Sequence, residues 1–331
     1  MAFNWNATRI EDGIAAYFQF PVCTMASGYE LTIPVHVVTG RRAGPTLLIS
    51  ATSHGEELWN LEFVRRIRDH FVAKDFNFAG TLLLAPNLNP HSFESGHRNT
   101  PIDLHNLNRV FPGAQDGWFS EILAHAIAEN LLPKADIIFD YHGGGSDTVI
   151  HYTYTVPQDT PVHRQIHEIA LASGAEVLWE HVESRGTLTN WGEQLGKVCV
   201  TPEIGGGGQI TDPSAFAYGT QYLENMMKVI EMLPGTATRD VPRIVVRKGG
   251  TLKPRHGGLF IPEVGLDLMG KTVPGGTLLG RVVSPNSFAV LDELVAPYPK
   301  TEMMQIRNRI SKVHPGEYAY IVGDGDSGYA P

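Results

Sequence analysis

The chain up to about residue 235 alternates between short apolar runs and stretches of helical periodicity. Four of the runs are nearly continuous in apolar or β-branched residues, as strands buried on both faces of a sheet are. These predicted strands are Thr46 to Ala51, Thr81 to Ala85, Asp136 to Asp140 and Lys197 to Thr201. Strands that alternate with helices predict an α/β domain, in which helices cover a sheet.

Apolar residues spaced three and four apart predict helices between these strands. Two predicted helical faces consist of Leu58, Leu61, Ile67 and Phe71, and of Ile122, Leu123, Ile127 and Leu131. A third helix should begin after Thr160 as its N-cap and stop at Gly174. A fourth should run from about Pro213 to Leu233, where Pro234 and Gly235 end it.

Beyond residue 240 the sequence pattern changes: clusters of glycine and proline separate short apolar runs. Two of these runs are Ile244 to Val246 and Tyr318 to Val322. Such a pattern is typical of a small all-β unit. We therefore predict two domains, residues 1–240 and residues 241–331, with the boundary at Arg239 to Pro242.

Composition excludes several classes of protein. The 331 residues are 42% hydrophobic and 18% charged, which is too apolar for a disordered chain. No run approaches the ~18 apolar residues of a membrane span, so we expect no membrane segment. The formal net charge is −9 without a dense basic face, so nucleic acid is not an expected partner.

The N-terminal residues and the two cysteines indicate the cellular location and the kinds of site that the chain can form. Arg9, Glu11 and Asp12 interrupt what would have to be the apolar core of a secretory signal, so we expect a cytoplasmic protein. The two cysteines, Cys23 and Cys199, are too few for a disulfide framework or a four-thiolate zinc site. We expect both to be buried packing residues.

A first chemical motif, Ser53-His54-Gly55-Glu56-Glu57, follows the first predicted strand and opens the next helix. His54 and Glu57 are three residues apart at this turn, so an imidazole and a carboxylate can converge on one metal ion, as zinc requires. The alternative is an ordinary helix N-terminus, in which Ser53 caps the helix and the glutamates complement its dipole.

Two further strands also end in candidate functional residues. His142 follows the strand that ends at Asp140, and Glu203 follows the strand that ends at Thr201. Ligands of open α/β sheets bind at the carboxyl ends of the strands. The alternatives are a structural histidine and a solvated loop glutamate. A serine esterase is excluded because the chain lacks the Gly-x-Ser-x-Gly elbow.

The polar segment from His97 to Gly113 is dense in hydrogen-bond donors. Arginine matches a carboxylate with two parallel donors, so Asn108 and Arg109 form a candidate carboxylate clamp. Arg98 lies in the same segment. The alternative is a polar loop with ordinary surface arginines.

Taken together, these motifs resemble the succinylglutamate desuccinylase/aspartoacylase family of zinc carboxypeptidase-like enzymes. The resemblance covers roughly residues 45–235, and the β-rich tail fits the small C-terminal domain of the family members. It implies a zinc carboxypeptidase-like mixed sheet flanked by helices. The sequence of residues 106–113 most resembles that of family members that remove the acetyl group of N-acetyl-diaminobutyrate.

The resemblance also implies a role for each candidate residue. One zinc ion per chain would be held by His54, Glu57 and His142. Glu203 would be the general base, Arg98 would polarise the scissile carbonyl, and Asn108 with Arg109 would clamp the substrate carboxylate, Arg109 as a buried fork. The chain differs from the aspartoacylase motif Asp-Leu-Asn-Arg, because it has Asn106 at the first position.

The expected function is hydrolysis of a small N-acyl amino acid, by a protein that could form a homo-oligomer. One alternative is a zinc carboxypeptidase that acts on peptides, which would need an open groove. Another is a catalytically inactive metal-binding or carrier-like protein, since Gly270 to Leu279 resembles a hairpin of biotinyl and lipoyl domains. Lys300 lacks the sequence setting of those attachment sites, so a cap or an assembly surface is the preferred role of the tail.

Overall fold

The computed structural model describes residues 2–181, 184–238 and 244–331. Up to residue 238, the described part contains eleven strands and six α-helices. The strands are β1 (Phe3–Trp5), β2 (Thr8–Ile10), β3 (Ala15–Thr24), β4 (Glu30–Thr39), β5 (Arg42–Ser50), β6 (Ala79–Ala85), β7 (Ile137–Asp140), β8 (Thr148–Thr155), β9 (Val177–Glu180), β10 (Val198–Val200) and β11 (Pro202–Gly206). The α-helices are α1 (Leu58–Ala73), α2 (Pro90–Ser95), α3 (Phe119–Asn130), α4 (Pro161–Leu171), α5 (Leu188–Gln194) and α6 (Pro213–Val229).

The described residues from 244 onward form nine strands and no α-helix. These strands are β12 (Ile244–Val246), β13 (Gly249–Leu252), β14 (Gly258–Pro262), β15 (Thr272–Pro274), β16 (Leu278–Val283), β17 (Val290–Val295), β18 (Lys300–Arg307), β19 (Ser311–Val313) and β20 (Tyr320–Asp324). The expected boundary at Arg239 to Pro242 lies outside the described residues. The predicted fold class, a mixed sheet flanked by helices with a β-rich C-terminal region, is confirmed.

A six-stranded mixed sheet forms the centre of the larger part, in the order β10-β7-β5-β6-β4-β3. The four strands that the apolar runs predict are its parallel strands, β5, β6, β7 and β10. β4 and β3 extend the sheet as antiparallel neighbours. The carboxyl ends of the parallel strands therefore meet at one edge, where ligands bind in sheets of this kind.

Successive residues of the central strands bury opposite faces of this sheet. Leu47 shares a core with Phe63 of α1 and Leu223 of α6, whereas Leu48 shares a core with Leu123 of α3. Each such side chain contributes about 1.5–3 kcal/mol through burial. The sheet is thus held between two helical layers, which give the carboxyl ends of its strands a rigid support.

The four predicted helices are present as α1, α3, α4 and α6, but the last one ends earlier than expected. α6 ends at Val229, because Glu231 adopts a left-handed φ of +60°. The Met232 N–H donates to the Met227 carbonyl, and the Glu231 N–H donates to the Lys228 carbonyl. This Schellman motif ends the helix before Pro234 can do so.

An eight-stranded sheet joins the two parts of the chain. Its main order is β12-β9-β8-β18-β20-β13, with β11 paired to β8 and β15 paired to β18. β18 pairs antiparallel with β8, which places Ile306 opposite Val149, and Met304 shares a core with Ile150 and Tyr152. Strands from both sides of the expected boundary therefore share one sheet, and the two-domain division stays a prediction.

A four-stranded antiparallel sheet, β17-β16-β14-β19, completes the C-terminal region. Phe260, Leu279 and Val282 pack with Tyr320 in its core. Lys300, the residue weighed as a carrier attachment site, begins β18 and pairs with Asp326 at 2.8 Å.

None of the helices in the described ranges combines the length and apolarity that a membrane crossing needs. Cys199 is buried as expected, but Cys23 is only half-buried, because it lies on the edge strand β3.

Candidate active site

The first candidate residues lie where β5 leads into α1. β5 ends at Ser50, and Thr52 adopts a left-handed φ of +58°, a strained conformation for a β-branched residue. His54 and Glu57 follow on this turn, before α1 begins at Leu58. His54 Nδ1 lies 2.7 Å from Glu57 Oε1, and both side chains are buried. The spacing in the sequence does bring an imidazole and a carboxylate together.

His142 joins this pair from the end of the neighbouring strand β7. Its Nδ1 lies 3.1 Å from Glu57 Oε2. One ligand atom from each of His54, Glu57 and His142 lies within 4.8 Å of the other two, and the three residues are only 2–4% exposed. Three buried electron-pair donors therefore converge on one point.

The outer nitrogen of each histidine faces a further acceptor. His142 Nε2 lies 3.0 Å from Asp140 Oδ2, and His54 Nε2 lies 3.1 Å from Asn106 Oδ1. A neutral imidazole has one N–H, and at His54 the Asn106 oxygen takes it. The His54 Nδ1 is then left with a lone pair that points toward the Glu57 carboxylate. A divalent cation satisfies this donor set, and two imidazoles with one carboxylate suit zinc.

Burial and neighbouring charges act on the same three groups. Burial, together with the Arg98 guanidinium, lowers the pKa of His54 to about 4. Burial opposes ionisation of Glu57, but the two histidines outweigh it and hold the pKa of Glu57 well below its usual range. Burial also opposes the charged form of His142, yet the carboxylates of Asp140 and Glu57 raise its pKa well above the ordinary value. The pKa values of the two histidines are thus shifted in opposite directions, that of His54 by burial and Arg98 and that of His142 by the two carboxylates.

Glu203 is aligned with His142 by the sheet itself. β7 and β10 pair in parallel, and their register continues past both strands until His142 and Glu203 form a β-bridge. The His142 N–H donates to the Pro202 carbonyl at 3.0 Å, and the Ile204 N–H donates to the His142 carbonyl at 2.9 Å. The candidate base thus stands beside a candidate ligand on the adjacent chain segment.

Arg98 reaches the metal-ligand candidates through a close backbone approach. A Cβ at Gly55 would lie 1.8 Å from the Ser92 carbonyl oxygen, so only glycine lets the segment that carries Arg98 come this near. Arg98 Nη1 lies 3.4 Å from His54 Nδ1 and 3.5 Å from Glu57 Oε1. The structure places the expected carbonyl-polarising arginine directly beside these two groups.

Asn108 and Arg109, the expected carboxylate clamp, differ in their surroundings. The buried Asn108 accepts the Leu188 N–H at 2.8 Å with Oδ1, and its Nδ2 lies 2.9 Å from His142 Nε2. Arg109 was expected to be a buried fork, but it is exposed. The 3₁₀ turn of residues 107–109 buries Leu107 and Asn108 and leaves Arg109 exposed.

A cleft gathers most of these side chains. Six of the seven residues that the sequence singled out line it: His54, Arg98, Asn108, Arg109, His142 and Glu203. The seventh, Glu57, lies behind them and is 2% exposed.

The remaining residues of the cleft wall were not predicted from the sequence to bind a ligand. It consists of Tyr154, His181, Ser184, Thr187, Thr189 and Thr201. The Tyr154 and His181 ring centroids lie 5.8 Å apart. Tyr154 is on β8 and His181 directly follows β9, and neither residue belongs to a motif that the sequence analysis identified. Thr201 directly follows a predicted strand, and that strand-end position could have identified it. Asp140 could also have been found, because residues two apart on a strand share a face.

The C-terminal region reaches the rim of this cleft. Arg98 Cζ lies 5.6 Å from the centre of the Tyr318 ring. The nearby Arg307 is buried and pairs with Asp147 at 3.6 Å and with Glu317 at 3.3 Å. These ion pairs tie the loop that carries Tyr318 to the loop that follows β7.

Comparison with protein families finds one match over the larger part of the chain. The model of the succinylglutamate desuccinylase/aspartoacylase catalytic domain matches residues 43–230. A curated N-alpha-acetyl-L-2,4-diaminobutyric acid deacetylase of Halomonas elongata is 28% identical over 281 residues, which are 82% of this chain and 80% of that protein.

Solved structures resemble the chain over nearly its whole length. A succinylglutamate desuccinylase from Silicibacter sp. TM1040 has a TM-score of 0.78 at 26% identity and covers 94% of both chains. The product-bound ectoine utilization protein EutE (DoeB) from Ruegeria pomeroyi has a TM-score of 0.78 at 26% identity, covering 94% of this chain and 95% of that one. An aspartoacylase family protein from Mesorhizobium loti has a TM-score of 0.75 at 28% identity, with 94% and 95% covered.

Proposed function

The chain belongs to the succinylglutamate desuccinylase/aspartoacylase family, and on that premise we propose that it is a zinc-dependent deacylase of small N-acyl amino acids. The observation that carries this proposal is the convergence of His54, Glu57 and His142 beside a cleft that Glu203 and Arg98 also line. Two imidazoles and a carboxylate are the donor set of several zinc hydrolases, which leave a further coordination position for water or substrate.

His54, Glu57 and His142 would hold the ion. Bound there, zinc supplies a Lewis acid and lowers the pKa of a coordinated water to about 7. Asp140 and Asn106 orient the two imidazoles by accepting from their outer nitrogens.

The chain's own residues would then transfer the proton, stabilise the developing negative charge and orient the substrate. Glu203 accepts a proton at its carboxylate as water attacks the amide carbon, and returns it to the departing amine. The Arg98 guanidinium donates to the carbonyl oxygen, on which negative charge develops. Asn108 and Arg109 would orient the substrate by its carboxylate.

The proposed substrate is an N-acetylated amino acid. The relative from Halomonas elongata is named for a deacetylase of N-alpha-acetyl-L-2,4-diaminobutyric acid, and it matches 82% of this chain. N-acetyl-diaminobutyrate is therefore the first compound to test. The Tyr318 ring lies 5.6 Å from Arg98 Cζ beside the cleft, and a small molecule needs less open space there than a peptide does.

The test is a panel of substrates with the zinc-loaded protein, scored by kcat/KM. The panel holds N-acetyl, N-succinyl and N-formyl amino acids beside dipeptides and longer peptides with a free C-terminus, and the Glu203→Gln protein gives the background rate. We expect the best acyl amino acid to exceed every peptide. If peptides of four or more residues are hydrolysed as well as that compound, the protein is a carboxypeptidase instead.

A further inference from the structure

We propose that Asn106 is a positioning residue for the metal centre, because its side-chain carbonyl holds His54 in the orientation and tautomer that direct Nδ1 toward Glu57 and His142. Asn106 lies outside the ligand set and precedes the 3₁₀ turn of residues 107–109. The inference rests on the metal ligands of the proposed function and is independent of its substrate.

The orientation of the Asn106 amide follows from its backbone neighbour. The Asn108 N–H donates to Asn106 Oδ1 at 2.9 Å. A backbone N–H can only donate, so the atom that faces it is the carbonyl oxygen and not the amide nitrogen. The same oxygen lies 3.1 Å from His54 Nε2. Nε2 must therefore carry the hydrogen, which leaves the lone pair of His54 on Nδ1.

The two histidines are held by acceptors of different strength. His142 faces the buried carboxylate of Asp140, which also accepts the Ser50 hydroxyl hydrogen at 2.7 Å. Among the described residues, the acceptor at His54 Nε2 is the neutral amide of Asn106. A carboxylate partner makes an imidazole a more basic ligand than an amide partner does. The His54 side of the centre is thus the more weakly supported one, and a change at Asn106 should alter metal affinity measurably.

Asn106 has a second role that the experiment must separate from the first. Its side chain caps the 3₁₀ turn through the same bond to the Asn108 N–H. Serine is an equally good cap, but its shorter side chain cannot also reach His54. Aspartate can keep both contacts. Asn106→Ser therefore removes the His54 contact alone, Asn106→Ala removes both contacts, and Asn106→Asp keeps both.

The measurement is the zinc Kd of the full chain, obtained by competition with a chelator, with the absorption spectrum of the cobalt-loaded protein as a second readout. We expect Asn106→Ser and Asn106→Ala to bind zinc ~10–100-fold more weakly. Asn106→Asp should bind at least as tightly as the natural protein. Asn99→Ser is the matched control, because Asn99 donates to the Leu104 carbonyl at 3.0 Å in the same loop and does not contact His54.

Each outcome decides between the roles. If Asn106→Ser binds zinc as the natural protein does and only Asn106→Ala is weakened, Asn106 is merely a cap and the inference is wrong. Weak binding by Asn106→Asp would also overturn it, and that variant stays informative if the serine variant fails to fold. A natural chain that binds no zinc would overturn the proposed metal centre itself, whereas zinc binding without deacylase activity would overturn only the proposed substrate.

Discussion

His142 and Glu203 form a parallel β-bridge beyond the carboxyl ends of β7 and β10. The bridge continues the register of two buried strands, so the backbone of each residue is fixed by the sheet and not by a loop. A side-chain change at Glu203 should therefore leave His142 where it is. This relationship allows the proposed base and the proposed ligand to be tested separately.

Replacement Glu203→Gln should keep zinc and abolish turnover. Glutamine has the same shape but cannot accept a proton at neutral pH, so kcat should fall by ~10² or more while the metal content is unchanged. Metal analysis and steady-state kinetics on one preparation measure both quantities. Glu180→Gln is a suitable control, because Glu180 pairs with Arg247 at 2.8 Å and is not among the residues that line the cleft. Loss of zinc, or a near-normal rate, would remove Glu203 from the mechanism.

The metal ligands can be tested by removing one imidazole at a time. His54→Ala and His142→Ala should each lose stoichiometric zinc on dialysis, because two protein ligands hold the ion far more weakly than three. His70→Ala should retain it, since His70 lies on α1 and pairs with Glu224 instead. Stoichiometric metal in both ligand variants would show that the zinc site lies elsewhere.

Arg109→Leu tests the carboxylate clamp. Because Arg109 is exposed, its charged hydrogen bonds to a substrate should contribute about 1.5–3 kcal/mol, less than a buried pair would. The variant should lose ~10–100-fold in kcat/KM for acyl amino acids and little for the matching amides. Arg41→Leu is the control, because Arg41 is an exposed arginine that pairs with Asp75 and does not line the cleft. Equal losses on acids and amides would indicate a structural role for Arg109.

Tyr318→Leu tests whether the C-terminal region supports the cleft. The ring face that lies 5.6 Å from Arg98 Cζ contributes about 0.5–2 kcal/mol by a cation–π contact. We expect kcat/KM to fall ~2–30-fold in Tyr318→Leu and to be retained in Tyr318→Phe, which keeps the ring. Tyr298→Leu is the control, because Tyr298 packs beneath Lys248. If the leucine and phenylalanine variants behave alike, the ring has no part in holding Arg98.

Truncation after residue 238 tests the predicted division into two domains. The cut removes β18, the antiparallel partner of β8, and exposes the buried side chains of Ile150 and Tyr152. An unpaired strand with an uncovered apolar face aggregates, so the fragment 1–238 should be insoluble or unfolded. The full chain should unfold in one thermal transition. A soluble fragment with a native circular dichroism spectrum would establish the two units as independent domains.

Local pattern determined much of this protein. Strands that are buried on both faces must be continuous apolar runs, so the four parallel strands could be read directly from the sequence. Three of these strands are followed by chemically reactive side chains, His54, His142 and Glu203. Their chemistry could be inferred because parallel strands of one sheet deliver their carboxyl ends to the same edge.

The tertiary structure alone decided which of these ends are neighbours and what surrounds them. The order β10-β7-β5 makes Glu203 adjacent to His142 and brings His142 to Glu57. Tyr154 lines the cleft from a second sheet, and Tyr318 of the C-terminal region contacts Arg98. β18, which follows the expected boundary, pairs with β8, which precedes it. Strand order and long-range pairing depend on packing between segments far apart in the chain. The apolar periodicity of a segment shows which face is buried, but not which other segment covers it.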